Sequence, residues 1–224
     1  MPEEAADDDV LPDATPTGRY RRRSEELEFD RVAFFSDAVF AIAMTLLVVG
    51  IGIPHVRDGE LGTKLSGKDA EIFSFFLSFV VIGAYWLAHH RFFTRLAAVD
   101  VRFMQVNMLY LAAIAFMPFP TALVGTYGAK PLTVVLYAIT LGTASFLDAA
   151  LFWHAQRAGL FRRRFNDEAF RAGVIASVAP VLVFAISIPI AYAAPDWALV
   201  AWLLIFPLEW LIDKRFKPDG ADDF

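Results

Sequence analysis

The spacing of the charges constrains this chain more than any other feature. Ala38–Pro54, Ile72–Ala88 and Pro131–Leu147 each run 17 residues without an Asp, Glu, Lys or Arg. Phe103–Ala129 runs 27, Ala172–Pro195 runs 24, and Trp197–Leu208 adds 12, reaching Ile212 if Glu209 is tolerated. A helix crossing the bilayer needs about 20 mostly apolar residues, since lipid offers the backbone no hydrogen-bond partners. Extended by a turn into their flanks, these runs predict an all-α membrane protein with six transmembrane helices, the sixth the shortest. Composition agrees. Of the 224 residues, 57% are apolar by the set AVILMFWYC, against roughly 45–50% in soluble domains even with glycine counted. Collagen-like, disordered and nucleic-acid-binding chains are excluded. The absence of cysteine excludes a disulfide scaffold, thiolate-bound metals and thiol catalysis.

The net charge is −5, but its distribution says more than its sum. Residues 1–30 hold ten acids and four arginines, and the first eighteen are too polar to bury a core. We read 1–30 as a disordered cytoplasmic tail rather than a secretory leader, which needs a basic start followed by an apolar run. Residues 31–213 form the transmembrane domain and 214–224 a short cytoplasmic tail. With the N-terminus inside, sixteen Lys and Arg fall on inner segments and four (Arg57, Lys64, Lys68, Lys130) on outer ones. The positive-inside rule then places both termini in the cytoplasm of a multi-pass cell-membrane protein.

Ionisable groups inside a spanning helix cost several kcal/mol by translocon-type measures, so each is a candidate for function. The set is Asp37, His89, His90, Asp148, His154 and Glu209. For His154 and Glu209 the plain reading is a helix-end group satisfied by a neighbour. The first helix is different because it has two faces. With Ile42 at zero and about 100° per residue, Leu46 falls at about 40°, Val49 at about −20° and Thr45 at about −60°. Asp37 falls at about −140° and Ser36 at about 120°, on the other side. An aliphatic stripe with one hydroxyl is therefore backed by hydrogen-bonding groups that need partners from other helices. Trp86, His89 or His90, and Asn107 are the polar partners available.

The segment Arg31-Val-Ala-Phe-Phe35-Ser36-Asp37 matches Arg-x-x-x-Phe-Ser-Asp at every fixed position. It resembles the first-helix signature of the transmembrane protein 175 family, the potassium channels of lysosomes and their prokaryotic relatives. Trp-x-x-His-His at Trp86, His89 and His90 and the helix count agree across roughly residues 31–213. The resemblance implies a potassium-permeable channel, modestly selective over sodium and without a carbonyl filter. It implies, too, that subunits of six helices assemble as a homotetramer around a pore lined by the first helix. Ile42, Leu46 and Val49 fall where the family narrows its pore with bulky aliphatic groups, and Thr45 stands beside them. Val49 departs from the longer family residue, leaving that constriction wider or absent. Arg31, Phe35, Ser36 and Asp37, with Trp86, His89, His90 and Asn107, correspond to an internal brace rather than ion ligands. No cofactor, fixed metal or nucleic-acid partner is implied, only permeant potassium, the bilayer and other copies of the chain.

Val124-Gly125-Thr126-Tyr127-Gly128 resembles a potassium-channel carbonyl filter, but it is out of order and precedes Lys130-Pro131, so we read an outer turn. A secondary transporter of cations or protons needs broken helices and related halves. Pro118 and Pro120 interrupt the third run and Pro180 and Pro189 the fifth, which keeps that alternative open. An enzyme is disfavoured: no metalloprotease, nucleophile-elbow or phosphate-loop motif is present. Adjacent histidines on a helix also point about 100° apart, a poor start for a metal site.

Overall fold

The charge-free runs are helices in the computed structural model, which describes residues 16–53, 61–162 and 167–202. In chain order they are α1 (Pro16–Leu46), α2 (Leu61–Leu65), α3 (Asp69–Thr94), α4 (Val101–Phe116), α5 (Pro118–Tyr127), α6 (Pro131–Ala158), α7 (Asp167–Ala193) and α8 (Pro195–Trp202). Short 3-10 turns at Leu47–Gly50 and Ser66–Lys68 prolong α1 and precede α3. Among the described residues, five stretches are long and apolar enough to cross a membrane: Leu27–Gly50, Ser66–Thr94, Val101–Tyr127, Pro131–Ala158 and Gly173–Ala193. The sixth expected span opens as α8; the rest of it, with Glu209 and the 214–224 tail, lies outside the described residues.

The expected disorder of residues 1–30 is corrected in its second half, because α1 starts at Pro16. Once the membrane segment has nucleated a helix, each added residue gains one hydrogen bond for one residue fixed, whereas the first turn fixes three residues for a single bond. Proline suits the first turn, where its missing N–H is not needed. Residues 1–15 lie outside the described set.

The prolines act unequally. Pro118 divides the third run into α4 and α5 at Met117, whose N–H turns to the Ile114 carbonyl at 3.1 Å. Pro180 and Pro189 instead lie within a continuous α7, so that run is not interrupted. Spanning helices tolerate proline where neighbouring groups satisfy the freed carbonyls. Val124–Tyr127 forms the last turn of α5, with the Val124 carbonyl taken by the Gly128 N–H at 2.9 Å. That carbonyl serves a helix end, and Gly128 leaves the helix at φ 73°, a backbone that glycine adopts without strain.

α1 packs on α3 and α4, α3 on α5, α4 on α6, and α6 along α7. The core runs between them through Phe40, Leu47, Ile82, Phe103, Tyr110 and Leu141, all essentially inaccessible. Where α1 ends the backbones nearly touch: a Cβ on Gly50 would lie 3.1 Å from that of Ala122 in α5. At the arginine-rich end the α3–α4 and α6–α7 connections pair as a small antiparallel bridge, Leu96 with Phe161. The Ala97 N–H donates to Leu160 O at 2.7 Å and the Arg162 N–H to Arg95 O at 3.0 Å.

Candidate functional site

The two faces read from the α1 sequence are separated in the structure. Ser36, Phe40, Ala43 and Leu47 are buried, spaced at four, three and four residues and so forming one helical stripe. Ile42, Leu46 and Val49 on the opposite side are 58%, 46% and 72% exposed. Thr45 is exposed beside them and donates its hydroxyl to the Ile42 carbonyl at 2.8 Å. Val49 lies in the 3-10 turn rather than the α-helix. At three residues per turn and about 2 Å rise, it stands nearly in line with Leu46 and about 6 Å beyond it.

A chain of hydrogen bonds backs the buried face. The Ser36 hydroxyl donates to Val32 O at 2.9 Å and accepts from Asn107 Nδ2 at 3.0 Å. Asn107 Oδ1 lies 3.0 Å from His89 Nε2. A carbonyl oxygen only accepts, so His89 carries its proton on Nε2 and donates. The imidazole is held among rings: its centroid lies 4.4 Å from that of Phe93, 5.3 Å from Tyr110 at an interplanar angle of 3°, and 5.5 Å from Phe40. One residue further on, Asp37 accepts the Trp86 indole N–H at 2.9 Å. Three helices are thus tied together at two adjacent positions of α1.

The structure brings together Ser36, Asp37, Trp86, His89 and Asn107 out of the eight expected brace residues. Arg31, Phe35 and His90 are exposed and stand outside the hydrogen-bond chain. His90 stacks against the Trp86 ring, centroids 5.5 Å apart. Of the two adjacent histidines it is His89 that reaches Ser36, through Asn107.

Among the remaining ionisable residues, His154 meets the plain expectation. Its Nε2 bonds both oxygens of Asp100, at 3.0 and 2.9 Å, and Asp100 caps α4 by accepting the Phe103 N–H at 2.7 Å. Burial alone would raise the Asp100 carboxyl, but the Phe103 amide and His154 outweigh it and hold the group below its ordinary value. Asp148 lines a cavity beside Tyr85 and Ser145, whose hydroxyls bond at 2.5 Å. Sequence reasoning missed the buried trio of Ser78, Thr121 and Tyr137, joined by hydroxyl bonds of 2.8 Å and linking α3, α5 and α6. Uncharged hydroxyls inside apolar runs leave no periodic or charge signal to find them by. No group of three or more His, Asp or Glu able to hold a metal exists among the described residues.

Helices of spanning length and a first helix with one bonded and one open aliphatic face define an α-helical, multi-pass membrane protein. The family model "Endosomal/lysosomal potassium channel TMEM175" matches residues 31–118. A potassium channel of Streptomyces collinus is 33% identical over 180 residues, covering 78% of this chain and 87% of that one. The crystal structure of a lysosomal potassium-selective channel TMEM175 homolog from Chamaesiphon minutus superposes with a TM-score of 0.70 at 26% identity. That match covers 85% of this chain and 99% of the other. The Homo sapiens endosomal/lysosomal proton channel TMEM175 is 30% identical over 116 residues, covering 48% of this chain and 23% of that protein. The chain belongs to the TMEM175 family, a family of ion channels and not of enzymes.

Proposed function

We propose that the chain is one subunit of a potassium channel of the cell membrane, modestly selective over sodium. It has six transmembrane helices and both termini inside, and four copies enclose a pore lined by α1. Ile42 and Leu46 form successive aliphatic rings about 6 Å apart along the pore, with Val49 beyond them as a shallower collar. Ser36, Asp37, Trp86, His89 and Asn107 brace α1 from behind and bind no ion. The observation that carries this reading is the division of α1 into a hydrogen-bonded buried face and an exposed aliphatic one.

The rings offer no oxygen ligands, so a cation crosses by shedding part of its water, and narrow apolar constrictions also resist wetting. Potassium holds water less tightly than the smaller sodium ion, so its barrier is lower. Selectivity is accordingly modest and conductance small. The Thr45 hydroxyl hydrogen is taken by Ile42 O, which leaves the Thr45 oxygen lone pairs to face a passing cation beside the first ring.

Potassium flux from liposomes holding the purified protein, with sodium as the comparison, tests the function. Resolvable single-channel steps separate a channel from a secondary transporter of cations or protons. Topology is tested by cysteine at Lys64 or Lys214 and an impermeant thiol reagent on intact cells. Labelling at position 64 alone is expected, and labelling at 214 alone would reverse the assignment.

A further inference from the structure

A cavity of about 250 Å³ lies on the side of α3 away from α1, between α3 and the α6–α7 pair. By volume it has room for about eight waters at roughly 30 Å³ each. Along α3 it reaches from Leu77 to Arg95, about 27 Å at 1.5 Å per residue, so it is long and narrow. Its upper walls carry Leu77, Val81, Leu141 and Phe184, while Tyr85, Ser145 and the Asp148 carboxylate line it between these and the arginines. Its arginine-rich end carries Arg91 and Arg95, both exposed. Neither guanidinium has an ion-pair partner within 4 Å among the described residues; the Arg91 Nε merely donates to Leu87 O at 3.3 Å.

Two like charges four residues apart on a helix repel each other. An anion bridging the two guanidiniums removes that repulsion. A guanidinium pair suits phosphate oxygens, which it grips in a bidentate fork. Basic pockets between spanning helices on the cytoplasmic side are where anionic headgroups bind. We propose that this cavity holds an anionic phospholipid of the inner leaflet, its phosphate on Arg91 and Arg95 and one acyl chain running up the slot toward Phe184. The site is separate from the α1 stripe, and its assignment to the inner leaflet rests on the proposed topology with both termini inside.

The test is native mass spectrometry of the full-length protein in mild detergent, titrated with dioleoyl phosphatidylglycerol against dioleoyl phosphatidylcholine. Wild type is expected to retain phosphatidylglycerol preferentially. At about 1 kcal/mol per arginine, R91Q/R95Q should weaken that retention by about tenfold or more. Arg95→Gln alone, at a side chain with no hydrogen bond among the described residues, gives a partial loss if the double variant does not fold. Ala88→Trp fills the slot and keeps both arginines, and it should also lose the lipid. The proposal is overturned if wild type shows no preference, if the arginine variants retain the lipid as wild type does, or if Ala88→Trp retains it fully. Displacement of the lipid by glycerol phosphate would equally overturn it, by making this a bare anion site.

Discussion

The two faces of the first spanning helix arise within one fourteen-residue stretch, Ser36 to Val49, and follow opposite rules. On the buried face every polar group is matched: Ser36 to Asn107 and Val32, Asp37 to Trp86, His89 to Asn107. On the open face Ile42, Leu46 and Val49 are exposed, with no helix over them among the described residues. The difference shows where specificity is stored. Polar groups in lipid must be satisfied inside the protein, so the signature residues fix which helices meet α1 and at what height. The aliphatic face is thereby presented in one orientation without any bonding of its own.

The largest effect is expected where the matching is densest. Asn107→Ala removes the acceptor for the buried His89 N–H and the donor to Ser36. Each buried partner left unsatisfied costs about 1–3 kcal/mol. The variant should melt at lower temperature in detergent, while protein that survives reconstitution keeps the parent potassium-to-sodium ratio. An unchanged melting curve with an altered ratio would erase the distinction between the faces.

Asp37→Ala comes next, since it strands only the Trp86 N–H of a half-buried ring; a loss of about 1 kcal/mol is expected. Size-exclusion chromatography beside the flux ratio decides between a brace and a ring of cation-binding carboxylates. The ring alternative requires stable protein with changed permeation. Thr45→Ala on the open face should leave stability within about 0.5 kcal/mol and reduce potassium preference modestly, as read by bi-ionic reversal potentials.

The smallest effect concerns the far end of the bundle. The folded Asp100 carboxyl sits below its ordinary value of 3.8, so its stabilising contribution is complete above that value and fades as pH falls through the lower folded one. Wild type should therefore lose slightly more melting temperature on acidification below about pH 4 than Asp100→Asn does.

Much of this was legible from residues alone, for reasons that differ by region. Charge-free runs located the five described spans, because lipid tolerates few charges. The wheel separated Ser36 from Ile42, and Trp86, His89 and Asn107 were identifiable as the polar groups within reach. Pairing was not legible: that Ser36 takes Asn107 while Asp37 takes Trp86 depends on the relative height of three helices. The helical stretch from Pro16 to Asp30 was misread because composition reports burial, whereas this segment extends a helix nucleated elsewhere. Arg31 and Phe35 sit in the signature yet lie exposed, so a motif's span is wider than its bonded part. The slot beside α3 left no linear trace, since its walls come from separate helices.

The central claim is that the open face of α1 meets the permeating ion. It is tested most directly by potassium and sodium flux through Ile42→Asn in liposomes, beside wild type at matched protein density. Replacing the apolar collar with a hydrogen-bonding amide should raise flux severalfold and lower the potassium-to-sodium ratio toward unity, with the melting temperature little changed. If Ile42→Asn leaves both the current and the ratio as in the parent, the stripe is packing surface and conduction runs elsewhere.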